Sequence, residues 1–111
     1  MTATCVLATL VSPEGRRDDV LAALQALQRA ADDEPGTTLF MINEHDDAPG
    51  TFSVFERYES ADAVQAHRFS AAMEEFRTSL TALALRPTLT FLTPIDPRAP
   101  EQPHPLAFMA H

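Results

Sequence analysis

An α+β domain built on one antiparallel sheet is the fold class this sequence predicts, and three observations predict it. Four segments rich in β-branched and aromatic residues are each too short to be good helices. The stretches after the first and third of them carry apolar residues at spacings of three and four. The whole runs in the order β-α-β-β-α-β, the ferredoxin-like arrangement, which places the helices on one face of the sheet.

The first strand is Thr4 to Val11, TCVLATLV. Ser12-Pro13 then reads as a cap followed by proline at the first helical position. The first helix runs from there to about Asp32, with Val20, Leu21, Leu24, Leu27 and Ala31 on one stripe. Glu34-Pro35-Gly36 ends it and turns the chain. Thr37 to Asn43 is the second strand, joined to the third, beginning at Thr51, by the polar turn Glu44 to Gly50. Ser60 is an N-cap for a short helix to about His67, with Asp62 in its first turn. Ser70 caps a further helix whose stripe is Met73, Phe76, Leu80 and Leu83. Arg86-Pro87 closes that helix, and Thr88 to Thr93 is the last strand.

The strands are apolar on both faces. Phe40 and Ile42 oppose Leu39 and Met41, while Val6, Ala8 and Leu10 oppose Leu7 and Val11. Helices on one side leave the other side bare, and each large apolar side chain buried there is worth roughly 1.5–3 kcal/mol. The expectation is a homodimer joined sheet to sheet. Residues 1–94 form the single domain that 111 residues permit; residues 95–111 form a tail, and from Pro94 onward Pro97, Pro100 and Pro103 recur with the period of polyproline II. That tail is either a frayed terminus or an arm laid across the partner subunit.

Composition narrows the function. A net charge of −8 repels phosphate backbones, so nucleic acid is not an expected partner. No stretch approaches the roughly 20 apolar residues of a membrane span, and the apolar run Cys5 to Val11 lacks the flanks of a signal peptide. A single cysteine, Cys5, makes no internal disulfide and fits a reducing, cytoplasmic setting. The metal-ligand types in Glu44-His45-Asp46-Asp47 sit on adjacent positions of a turn, which does not make a preformed site, so no metal is expected.

Glu34-Pro35-Gly36, Asp47-Ala48-Pro49-Gly50, the run Val54 to Ser60 (VFERYES), and Ala66-His67 followed by Ser70 together resemble the antibiotic biosynthesis monooxygenase domain, including its small quinol monooxygenases. The resemblance covers about Thr4 to Pro94. It implies a dimeric α+β barrel, and oxidation of quinol, polyphenolic or polyketide-type aromatic rings by O2 without metal, flavin or haem. It also implies a pocket between sheet and helices that favours the deprotonated substrate and excludes water. The pattern departs at several positions. Val54, Tyr58 and Val64 stand where polyketide-tailoring members carry asparagine, tryptophan and tyrosine. Arg77 matches their arginine. Asn43 and Ala72 stand where quinol-type members carry histidines. With no tryptophan, and Arg77 near the place of a proximal histidine, haem degradation is disfavoured.

Two residues are the catalytic candidates. His67 suits a phenolic base, having an ordinary pKa near 6.5; otherwise it is a helix-terminal histidine. Arg77 suits a phenolate or carboxylate; otherwise it pairs with Glu74 or Glu75 or lies in solvent. Asn43, Tyr58, Val54, Val64 and Phe76 are the substrate-binding candidates. Cys5, on a core strand, reads as packing. The alternative to an oxygenase is a non-redox small-molecule-binding dimer, or a cyclase or isomerase of aromatic precursors, and the apolar Val54 and Val64 favour it.

Overall fold

The computed structural model describes residues 2–95. The proposed tail therefore lies, apart from Ile95, outside the described residues. The elements are β1 (Thr4–Val11), α1 (Arg17–Asp32), β2 (Thr37–Glu44), β3 (Thr51–Tyr58), α2 (Ala61–Arg68), α3 (Ala71–Ala82) and β4 (Thr88–Leu92). The sheet order is β2-β3-β1-β4, and every neighbouring pair is antiparallel. This is the arrangement expected from the order of elements, with α2 and α3 sharing the second crossover.

The start of α1 and the end of α3 differ from the expectation. The cap-and-proline reading starts α1 near Pro13, but the helix begins at Arg17, with Arg16 at the N-cap and no side-chain cap. Pro13 instead opens a turn in which its carbonyl accepts from Arg16 N at 3.0 Å. Gly15 within that turn has φ +76°, a left-handed conformation that a helix excludes. The two serine caps form as expected: Ser60 Oγ accepts from Ala63 N and Ser70 Oγ from Met73 N. α3 ends at Ala82, ahead of Arg86-Pro87, because Leu83 caps it with Leu85 N bonded to Leu80 O and Ala84 N to Thr81 O, the Schellman pattern. Ala84 takes the left-handed position at φ 53°, where glycine is usual.

Register fixes what each face carries. The rows Phe40–Glu56–Val6–Phe91 and Ile42–Val54–Ala8–Leu89 face the helices. Val20, Leu24, Leu27 and Ala31 of α1 and Phe76, Leu80 and Leu83 at α3 bury against that face. Leu89 and Phe91, although on the helix side, stay 52% and 61% exposed, so the helical layer stops short of β4. The opposite face carries the rows Met41–Phe55–Leu7 and Leu39–Arg57–Cys5–Leu92, uncovered by any helix. At the far end of the hairpin, Glu44 accepts two hydrogen bonds from Arg17 and one from Gly50 N. Arg17 holds the Glu44 carboxyl down to about 2.

Candidate functional site

Where the helical layer stops short, a cavity of about 540 Å³ lies between the sheet and the helices. Its walls are mostly apolar, from the helix-facing rows of β1, β3 and β4 and from α1 and α3. Its polar side chains are Glu56, Tyr58, His67, Arg68, Arg77 and Thr81. Strand parity puts Val54, Glu56 and Tyr58 on this side, two residues apart on β3. On α2, Val64 and His67 are three apart and share a helix face. Of the seven residues picked from sequence, His67, Arg77, Tyr58, Val54, Val64 and Phe76 line the cavity. Asn43 does not: it sits in the opposite-face row with Ser53 and donates to the Ser53 and Met41 carbonyls.

Glu56 and Tyr58 form one cluster around His67, joined from outside the cavity by Glu34 and Thr37. The imidazole is 7% exposed and lies against the rings of Tyr58 and Phe40, at centroid distances of 5.2 and 6.1 Å. Its Nδ1 is 2.8 Å from Glu34 Oε1. The same carboxyl oxygen accepts from Thr37 Oγ1 at 2.7 Å. Its Nε2 is 3.9 Å from Glu56 Oε1. Tyr58 donates its phenolic hydrogen to that Glu56 oxygen. Burial pushes the Glu56 carboxyl above its ordinary value, only partly offset by the bond from Tyr58 and by His67. Burial, then the neighbouring Glu56 charge, also pushes the Tyr58 phenol up, so it keeps its proton.

Arg68 and Arg77 are exposed residues that line the cavity, and the Arg68 guanidinium lies over the Phe69 ring, 5.9 Å from its centroid. Arg77 donates to the Arg68 carbonyl, which draws the end of α2 and the middle of α3 together. Among the described residues neither arginine makes an ion pair, so Arg77 does not pair with Glu74 or Glu75. The loop with metal-ligand types is committed elsewhere, Glu44 to Arg17 and His45 Nε2 to Ser53 Oγ at 2.7 Å. Among the described residues no group of three or more His, Cys, Asp and Glu side chains is arranged to hold a metal ion. Glu34 and Glu56 flank opposite nitrogens of His67 and do not converge on one point. No described helix is long and apolar enough to cross a membrane.

Glu34, Glu56 and Arg68 are the site residues that sequence reading passed over. Glu56 carried a usable signal, since its parity on β3 matches Phe52, Val54 and Tyr58. The pairing of Glu34 with His67 spans 33 positions and has no local signal.

Residues 4–79 match the family described as antibiotic biosynthesis monooxygenase. Among curated proteins none matches the chain. Of solved structures, Rv0793 from Mycobacterium tuberculosis is similar at 26% identity and a TM-score of 0.80, covering 88% of this chain and 100% of its own. PA3566 from Pseudomonas aeruginosa is similar at 18% identity and a TM-score of 0.80, over 86% of this chain and 97% of its own. A Nitrosomonas europaea protein whose name carries the same family description is 17% identical with a TM-score of 0.80, over 88% of this chain and 95% of its own. The last two likenesses concern the fold alone.

Proposed function

The chain belongs to the antibiotic biosynthesis monooxygenase family, and from that premise we propose that it oxidises an electron-rich phenol or quinol, of polyphenolic or polyketide type, with O2. The setting of His67 supports this above all: one ring nitrogen is tied to Glu34 while the other faces Glu56 across a gap in a mostly apolar cavity. A substrate hydroxyl in that gap gives its proton to Nε2. The resulting anion is rich enough in electrons to reduce O2 itself, so the reading requires no metal, flavin or haem. For a ring CH2 conjugated with the phenolate, oxidation to C=O takes four electrons. One oxygen atom enters the product and the other leaves as water. The apolar walls, including Val54, Val64 and Phe76, exclude bulk water from the intermediate. Tyr58 and Glu56 hold the inner end of the ring. Arg68 and Arg77 offset the negative charge at the outer end.

The uncovered sheet face supports a homodimer paired through Met41, Phe55 and Leu7, and the single cysteine suits a cytoplasmic setting. A second reading, binding or cyclisation without redox chemistry, is favoured by the apolar character of Val54 and Val64. Oxygen uptake with a panel of hydroquinones and anthrones separates the two. The expected result is uptake matched to product, lowered about 10²-fold or more by His67→Ala, with a raised KM for Arg77→Ala. Tight binding of the same compounds with no uptake would overturn the oxygenase reading and leave the second.

A further inference from the structure

We propose that Glu34 is the positioning residue of this site: it holds His67 as the Nδ1–H tautomer, so that the Nε2 lone pair faces the cavity. Its catalytic meaning rests on the reading of His67 as a base; the tautomer itself does not. Glu34 Oε1 already accepts from the Thr37 hydroxyl, so toward His67 Nδ1 it acts as an acceptor and the imidazole nitrogen donates. Which ring nitrogen carries the proton is set by the bond the other nitrogen makes. Unclamped in water, a neutral histidine carries its proton mostly on Nε2, the wrong place for a base facing this cavity.

The clamp is built into the fold. Glu34 opens the turn Glu34-Pro35-Gly36-Thr37, closed by Thr37 N to Glu34 O at 3.2 Å. The turn is tied to the start of α2 by Glu59 N to Gly36 O at 2.9 Å. Gly36 lies so close to α2 that a Cβ there would be 2.4 Å from Ala63 Cβ. The carboxyl is thus presented from outside the cavity, against the buried edge of the imidazole. From β3, Glu56 and Tyr58 face the other edge; β2 contributes only the Phe40 ring; on α2 the adjacent charge is Arg68. The 3.9 Å between Nε2 and Glu56 Oε1 is too long for a direct hydrogen bond. With its lone pair not taken up by Glu56, Nε2 is free to accept from a hydroxyl in the cavity, which points to a substrate bound through an acidic hydroxyl.

The test is long-range 15N–1H correlation on the full chain labelled at histidine nitrogens, with His67→Gln used to assign the signals. Spectra are taken above the pH at which the His67 signals show loss of the imidazolium proton. The expected wild-type spectrum has an unprotonated Nε2 and a protonated Nδ1. Glu34→Gln keeps an acceptor carbonyl and keeps this pattern; Glu34→Ala reverses it. In turnover, Glu34→Ala lowers kcat about 10- to 100-fold with KM little changed. A protonated Nε2 in the wild type, an unchanged spectrum in Glu34→Ala, or an imidazolium at every pH where the protein is folded would each overturn the proposal. If Glu34→Ala does not fold, the wild-type and Glu34→Gln spectra decide it. The spectrum needs no substrate, so failure of the tautomer assignment and failure of the oxygenase reading are seen separately.

Discussion

Replacing Gly36 by alanine puts the close approach of the Glu34 turn to α2 under direct test. The added Cβ would lie 2.4 Å from Ala63 Cβ, about 1 Å short of the 3.4 Å at which ordinary contact begins. The opposing atom belongs to an alanine and cannot rotate away, so the turn or the helix must move. Overpacking of this size costs about 1–3 kcal/mol. At roughly 4–8 °C per kcal/mol for a domain of this size, Tm falls by about 5–20 °C. The second substitution of the cycle is Ala63→Gly, which by itself costs about 0.5–1 kcal/mol in helix propensity. With both changes the nearest atoms to the alanine at position 36 are the position-63 Cα at 3.4 Å and Glu59 Cγ at 3.6 Å, so most of the strain is gone. Urea denaturation of all four proteins at one protein concentration should give a favourable coupling of about 1–2 kcal/mol. Effects that add within about 0.5 kcal/mol, or a Gly36→Ala protein as stable as the wild type, would refute the close-packing argument.

Three other outcomes are expected. The Glu56 carboxyl titrates above its ordinary value in the folded protein, so between the two values the folded state binds more protons than the unfolded state, and stability falls as pH rises. Glu56→Gln removes that slope: its stability relative to the wild type should climb with pH from about the ordinary carboxyl value of 4.5, then flatten, and denaturation midpoints at a series of pH values would read it. Phe55→Lys places a charge in the middle of the row Met41–Phe55–Leu7. Sedimentation equilibrium should show a dimer in the wild type and a monomer in this variant, and a wild-type monomer would remove the face-to-face pairing. Ala84→Gly relieves the left-handed strain at φ 53° and should stabilise by about 0.5–1 kcal/mol in thermal or urea unfolding, after the extra freedom of glycine in the unfolded chain is subtracted.

The strands and helices could be read because each rests on local signals, such as β-branched runs, i/i+3/i+4 stripes, and the capping serines Ser60 and Ser70. The start of α1 was misjudged because Ser12-Pro13 outweighed Gly15, whose φ of +76° is what keeps the turn out of the helix. Period-2 parity, applied strictly, would have recovered Glu56 for the cavity and moved Asn43 to the opposite face. Polarity obscured both, since a glutamate near a strand end reads as solvent-facing and an asparagine as a strand terminator. His67 was reachable from its place on α2. Its partner Glu34 was not, because their contact exists only once a turn between α1 and β2 has packed beneath a different helix.

Cys5 gives this molecule an intrinsic reporter. It is the chain's one thiol, 5% exposed, registered between Arg57 on β3 and Leu92 on β4. Its side chain lies on the sheet face that no helix covers, so the rate of labelling by a colorimetric thiol reagent reports how often its flanking side chains, or a sheet paired over them, move aside, without any engineered tag. Slower labelling in the presence of a candidate compound would register occupancy through the protection it gives, even for compounds that are bound and never turned over.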